Sequence, residues 1–353
     1  MKQFAYSIYI VLITIIVCEI GLRVFNYFYP SPIFYDQNYR QFLPKPHDNY
    51  YGFRLNSGGF KDKEFPKKQK DVYRIVGVGD SFAFGITPYQ HNYLTLLENG
   101  LKLQKKRSEV LNIGISGTNV PEYLSTIVEE GLPLKPDLIL LSFYVGNDFM
   151  LSHKHPNRLK LFKHSRLATM LNYVGNVVQK VKNPQHLIYG GHTYCDSCGP
   201  MTDTQYAEVL KRRLLLYEEG NPEFDSNFEE VMDWLQRIQQ LCQKQKIDLC
   251  LVIIPAEEQL YPKVEGILRK EHRSTKVWNK TKPQRVLVER LKEMQIPFLD
   301  LYPVFQKAAQ KQVLYRPNDT HWNVEGNALA AQEIHNWLLQ FPIFSGFSIT
   351  AQQ

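Results

Sequence analysis

The chain has 353 residues, of which 44% are hydrophobic and 22% charged, enough to bury at least one full core and to admit two domains, and too apolar and aromatic for disorder beyond the ends. Its formal charge of +7 is spread along the chain, with clusters at Lys61, Lys63, Lys67, Lys68 and Lys70 and at Lys211, Arg212 and Arg213. Solvated faces account for such runs, and no nucleic-acid module accompanies them, so an anionic membrane surface or an acidic glycan is the only partner class the charge favours.

Residues 4–22 are interrupted only by Glu19. As a helix they would span roughly 28 Å, close to the hydrocarbon thickness of a bilayer. Glu19 and Arg23 are spaced to pair at the interface, and Phe25, Tyr27, Phe28 and Tyr29 would form an aromatic belt. A buried amphipathic helix is the competing reading, but the run is apolar all round. No small-x-small cleavage site follows, so a retained membrane anchor is expected over residues 1–29. Lys2 and the amino group on one side balance Arg23 and Arg40 on the other, so charge leaves the orientation open.

Cys18 lies in this run, in a poor context for lipid attachment. Cys195 and Cys198 form a lone C-x-x-C, and Cys242 and Cys250 stand apart. A zinc site needs four ligands and only His192 is near, so no metal is expected. A local disulfide in an oxidising compartment leads, with two unpaired thiols still open. A redox protein would require the two sulfurs to be close, exposed and beside a helix amino terminus.

Residues 30–72 carry several prolines and few apolar runs and read as a tether and entry segment, with a turn at 56–60 that would lie beside a site. A β-branched run at 73–78 predicts the first strand, ending at Gly79-Asp80-Ser81. A helix over 93–103 places Leu94, Leu97 and Leu101 on one face. The second strand is expected at 109–113, a helix from Pro121 to about 130, and a third strand at 138–143 that ends in Gly146-Asn147-Asp148. Residues 150–222 break the rhythm and read as an insertion over the sheet edge. A helix at 228–244, a strand at 249–254, an irregular piece at 256–283, a helix at 284–294, a short strand at 298–301 and a helix at 324–339 complete the pattern. Strands alternating with helices imply right-handed βαβ units and one parallel sheet. The main domain is expected over 73–345, with the insertion at 150–222.

Four polar segments therefore fall at strand ends or before the last helix, and the carboxyl ends of parallel strands share one edge, where such sheets place ligands. Ser81, Gly117, Asn147 and His321 would meet there. Singly these are weak signals, since Asp-Ser after a strand is usually a helix cap, Ser-Gly a loop, Gly-Asn-Asp a turn and Asp-x-His surface decoration. Together they supply what acyl transfer needs. Ser81 would be the nucleophile, His321 its base and Asp319 the group that orients the imidazole. The backbone amides of Ser81 and Gly117 and the side-chain amide of Asn147 would form an oxyanion hole. In an extended strand, residues two apart point the same way roughly 6.6 Å apart, so a bend must bring Asp319 to His321.

These blocks resemble the SGNH, or GDSL-type, hydrolases. Gly79-Asp80-Ser81-Phe82 looks like the nucleophile block, Asn112-Ile113-Gly114-Ile115-Ser116-Gly117 like the glycine block, Gly146-Asn147-Asp148 like the asparagine block and Asp319-Thr320-His321 like the histidine block. The resemblance covers residues 73–149 and 228–340. It implies a three-layer α/β/α flavodoxin-like fold with a central parallel sheet of about five strands, and ester chemistry without a cofactor. Most members carry Asp three residues before the histidine, where this chain has Asn318. Asp319-Thr320-His321-Trp322 looks instead like the variant of branches that act on cell-envelope or exported polysaccharides, O-acetyltransferases among them. The α/β-hydrolase elbow is a near match at Gly79-x-Ser81-x-Ala83, but that fold has several strands before its serine and separates acid from base.

The expected function is a membrane-anchored serine esterase acting on an acyl ester, acetyl first among candidates, of an envelope or exported glycan, with its catalytic domain outside the cytoplasm. An O-acetyltransferase with the same residues and a non-catalytic glycan-binding scaffold are the alternatives. The scaffold would require Ser81 to lie far from His321. Expected partners are the acyl ester or glycan, the membrane and, for the transferase, a membrane-embedded acyl donor, with no nucleic acid.

Overall fold

The computed structural model describes residues 2–28, 38–103, 107–151, 165–177, 193–271 and 277–341. The β-branched and leucine-rich runs form five parallel strands: β1 (Tyr73–Val78), β2 (Ser108–Asn112), β3 (Leu138–Tyr144), β4 (Asp248–Ile254) and β5 (Phe298–Asp300), in the order β2-β1-β3-β4-β5. Every residue of β1 and β3 is buried, as expected for strands covered on both faces. The register sets Ile75 beside Val110, Val76 beside Ile139 and Leu140 beside Cys250.

Two helix pairs flank the sheet: Tyr93–Leu103 packs on Val324–Leu339, and Val120–Thr126 on Pro222–Gln245. The first pair sits so close that a Cβ on Gly77 would lie 2.5 Å from a Leu94 methyl, so β1 has glycine there. The layered α/β/α architecture and the strands are those expected from the sequence, with strand limits shifted by about one residue.

The connections differ more. Residues 256–283 hold two helices, Glu257–Leu260 and Pro262–Glu271, where irregular chain is expected. The insertion contains Arg166–Val177, Asp203–Lys211 and Leu214–Tyr217. The long helix begins at Pro222 and not at 228, because the Asn221 side chain accepts hydrogen bonds from the Glu223 and Phe224 amides and proline suits the first turn. The helix expected over 121–130 changes at Thr126 into a wider π turn, Ile127–Gly131. Tyr302–Ala308 is a further helix.

Residues 38–72, within the stretch 30–72 expected as a tether and entry segment, pack against the domain. They carry a small hairpin, Asn49–Tyr50 with Phe53–Arg54, and bury Tyr39, Leu55 and Phe60. Asn56 shapes the expected turn by accepting from the Gly58 and Phe60 amides. Lys61 then runs inward, 1% exposed, and donates to the carbonyl oxygens of Gly85, at 2.6 Å, and Thr87. Asp62 accepts from the Asn112 amide and the Tyr89 hydroxyl. Polar side chains bonded to backbone hold this segment together with these buried apolar residues.

Lys2–Phe28 is one helix, and its Tyr6–Phe28 stretch is long and apolar enough to cross a membrane, with its most apolar 18 residues unburied. Glu19 and Arg23 pair at 2.7 Å as expected. Glu19 also accepts from the amides of Arg166 and Leu167 and from the Ser165 hydroxyl, capping the helix Arg166–Val177. Tyr29 and His192 lie outside the described residues.

Replacing Lys61 with methionine strands two buried carbonyls, each worth about 1–3 kcal/mol. Urea denaturation of Lys61→Met should therefore show a loss of at least about 2 kcal/mol, and an unchanged midpoint would count against this role.

Candidate active site

At the end of β1 the chain turns at Gly79, where a Cβ would sit 3.0 Å from those of Ala83 and Ser142. Asp80 is fully buried and caps the short helix Ser81–Phe84, accepting from the Phe82 amide. Ser81 is the first residue of that helix, so its own N–H has no intrahelical acceptor. The turn thus presents the Ser81 hydroxyl and amide together at the sheet's carboxyl edge.

The glycine block packs against this helix. Asn112 donates to the Ala83 carbonyl at 2.7 Å and accepts from the Gly114 amide at 2.8 Å. A Cβ on Gly114 would lie 2.5 Å from the Phe84 nitrogen, an approach only glycine permits. The block ends at Gly117, exposed and left-handed at φ +84°.

After β3, Asp148 folds the loop back by accepting from the Tyr144 amide and the Tyr123 hydroxyl. This brings the Asn147 amide nitrogen within 2.9 Å of Asp80, so the asparagine block is bonded to the nucleophile turn itself.

The histidine block is a tight antiparallel loop. Tyr315 bridges Trp322, and the Arg316 amide donates to the His321 carbonyl. Asn318 takes a left-handed conformation, φ +44°, which asparagine tolerates better than most residues. That is the required bend, and it brings Asp319 Oδ1 to 2.6 Å from His321 Nδ1. Asn318 itself turns away and donates to Asp203. His321 Nε2 then lies 2.7 Å from Ser81 Oγ across 240 positions of sequence. Trp322, 2% exposed, packs edge-on to Phe82 with ring centroids 4.8 Å apart and stacks on Phe305. It fastens the loop to the nucleophile helix.

Burial pushes the Asp319 carboxyl up, but the charges and hydrogen bonds of His321 and Arg316 outweigh it and hold Asp319 below its ordinary value. Burial raises Asp80, against the bonds from Phe82 and Asn147 and the charge of His321. Glu257, buried behind the loop, is pushed up to about 8 by burial.

Ser81, His321 and Asp319 therefore form one hydrogen-bonded line, Asn147 stands against the same turn, and Gly117 closes the neighbouring block. Sequence reasoning missed Arg316, whose guanidinium meets Asp319 Oδ2 at 2.7 Å, weighed Asp80 only as a helix cap and assigned no part to Trp322. Asp80 and Trp322 sit inside recognised blocks, whereas Arg316 has no local signal. Cys195 and Cys198 are joined in a disulfide.

Residues 215–347 match the SGNH hydrolase-like domain of the acetyltransferase AlgX. No curated protein matches the chain. Solved structures with a similar course include the acetyl xylan esterase AlAXEase, at 15% identity and a TM-score of 0.42 over 76% of this chain and 100% of that one. The acetylxylan esterase Axe2 from Geobacillus stearothermophilus follows at 13% and 0.42 over 76% and 95%. A putative lipolytic protein of the G-D-S-L family from Desulfitobacterium hafniense DCB-2 aligns at 14% and 0.38 over 74% and 98%. Over residues 215–347, a little more than a third of its length, the chain is thus similar to an SGNH hydrolase-like domain.

Proposed function

We propose that the protein is a serine esterase that cleaves an acyl ester, acetyl on an envelope or exported glycan, through an acyl-enzyme on Ser81. The observation that carries this reading is the line from Ser81 Oγ through both nitrogens of His321 to Asp319. His321 Nε2 takes the hydroxyl proton as Oγ attacks the ester carbonyl, while Nδ1–H donates to Asp319, whose charge stabilises the imidazolium. The oxyanion meets the amides of Ser81 and Gly117 and the side-chain amide of Asn147. His321 returns the proton to the leaving alcohol, and water repeats the sequence to release the acid.

O-acetyl transfer is the second reading, in which a sugar hydroxyl replaces water, and the match to an acetyltransferase domain favours it. The near-complete burial of Ser81, 8% exposed, also suits a site that keeps water from an acyl-enzyme. The glycan is proposed on the resemblance of the histidine block to polysaccharide-acting branches. We further propose that the first helix is a membrane anchor with the catalytic domain outside the cytoplasm. The Cys195–Cys198 disulfide supports an oxidising compartment.

The test uses the full-length protein in detergent with a short-chain activated acetyl ester, with and without oligosaccharide. Ser81→Ala should abolish turnover and labelling by a serine-directed phosphonate, and acetylated sugar as product would select transfer over hydrolysis. Equal inertness of wild type and Ser81→Ala to ester and phosphonate would overturn catalysis. Asn147→Ala should lower kcat by roughly 100- to 1,000-fold, the typical loss of an oxyanion donor. Asp319→Asn should cost about 10,000-fold by favouring the wrong imidazole tautomer. A loss below tenfold in either would remove that residue from its role.

A further inference from the structure

The C-x-x-C segment clasps the loop that carries the base. Arg316, 7% exposed, spends its guanidinium on three acceptors: Asp319 Oδ2 at 2.7 Å, the Cys198 carbonyl at 3.1 Å and the Cys195 carbonyl at 3.3 Å. The Tyr194 ring covers it, 5.3 Å from the guanidinium carbon. Beyond the disulfide, Asp196 accepts from the Val324 amide at the start of the last helix, and Asp203 from the Asn318 side chain. Gly199 passes so close that a Cβ there would meet the Pro317 oxygen at 2.3 Å. The segment thus touches the loop before, at and after its bend.

Resting on the reading of Ser81, His321 and Asp319 given above, we propose that Arg316 is a positioning residue for the triad and that the Cys195–Cys198 loop is the clamp that holds it. Asp319 is gripped at both oxygens, one by His321 and one by Arg316, so its carboxylate cannot rotate away from the imidazole. Arg316 is fixed in turn because the disulfide-closed turn aims both cysteine carbonyls at it. Opening the disulfide restores conformational freedom to that turn and loosens two of the three anchors. The chemistry is simple: dithiothreitol supplies two electrons and two protons, the S–S bond becomes two thiols, and the reagent closes to its own cyclic disulfide.

The experiment measures kcat and KM on the acetyl ester from pH 4 to 9 for the full-length protein in detergent. It compares wild type, Arg316→Gln, Arg316→Lys and the Cys195→Ser/Cys198→Ser double variant, each before and after dithiothreitol. The charges and titrating groups around the carboxylate are Arg316 and His321 on its own loop, Asp80 from the nucleophile turn, Glu257 after β4, and Tyr194 and Asp196 on the clamp. Only Arg316 changes in the arginine variants.

Arg316→Gln should lower kcat by roughly 10- to 100-fold, the cost of a misplaced group, with KM little changed. Because it removes a cation that keeps Asp319 ionised, the acid limb should move to higher pH. Arg316→Lys should restore that limb and part of kcat. Dithiothreitol should slow wild type to the level of the double serine variant and leave Arg316→Gln unaffected, since both act on one link. An Arg316→Gln enzyme with wild-type kcat and pH profile, or an active wild type indifferent to dithiothreitol, overturns the clamp alone. Should Arg316→Gln fail to fold, the lysine variant and the reduction of wild type decide by the same criteria. A wild type without Ser81-dependent turnover overturns the catalytic reading and the clamp with it.

Discussion

The contact between His321 Nε2 and Ser81 Oγ joins positions 240 residues apart, and it exists only while the sheet and the last helix hold their relative places to a fraction of an ångström. The covalent path between them runs through four strands and the whole insertion, so nothing local supplies the proximity. What supplies it is packing. Phe82, one residue past the serine, and Trp322, one residue past the histidine, meet edge to face, and Phe305 and Tyr93 close around the indole. Such aromatic contacts are individually worth about 0.5–1.5 kcal/mol beyond their buried area, but here they also fix geometry.

Around that contact the backbone approaches itself closely. Gly79 against Ser142, Gly114 against Phe84 and Gly77 against Leu94 are places where a single methyl group would force a shift. The polar groups follow the same economy. Asp80 caps a helix and accepts from Asn147, and Asn112 binds both Ala83 and Gly114. Each block is thus positioned by side chains that belong to another, and the edge behaves as one rigid polar network.

How much of this could be read in advance depended on whether the signal was local. The strands were legible because apolar runs in a doubly covered sheet are nearly continuous in sequence, β-branched in 73–78 and leucine-rich in 138–144. Ser81, Asn147 and His321 were legible because each lies at a strand end or before a helix, and the parallel sheet dictates that those ends share an edge. The need for a bend between Asp319 and His321 was visible, and its means is a left-handed Asn318, at the position where most members of the resembled family carry aspartate. The packing of residues 38–72 was not legible, since Lys61 and Asp62 reach backbone groups and the buried Tyr39, Leu55 and Phe60 follow no helix or strand period. Arg316 was invisible for a related reason: its partners, the carbonyls of Cys195 and Cys198, are 121 and 118 positions away.

The cap that Glu19 places on Arg166–Val177 bears on how the enzyme would stand at a bilayer. Glu19 lies three residues before Leu22, where the apolar run 4–22 ends, about 4.5 Å along the helix axis. A helix tied at that point of a membrane-spanning segment would sit near the level of the lipid headgroups and could not swing free on a flexible stalk. With the first helix crossing the bilayer, that tie would restrict the tilt and swivel of the insertion. The reactive edge would then sample acyl esters within a thin layer next to the surface, and its effective substrate concentration would be set by that layer rather than by the bulk.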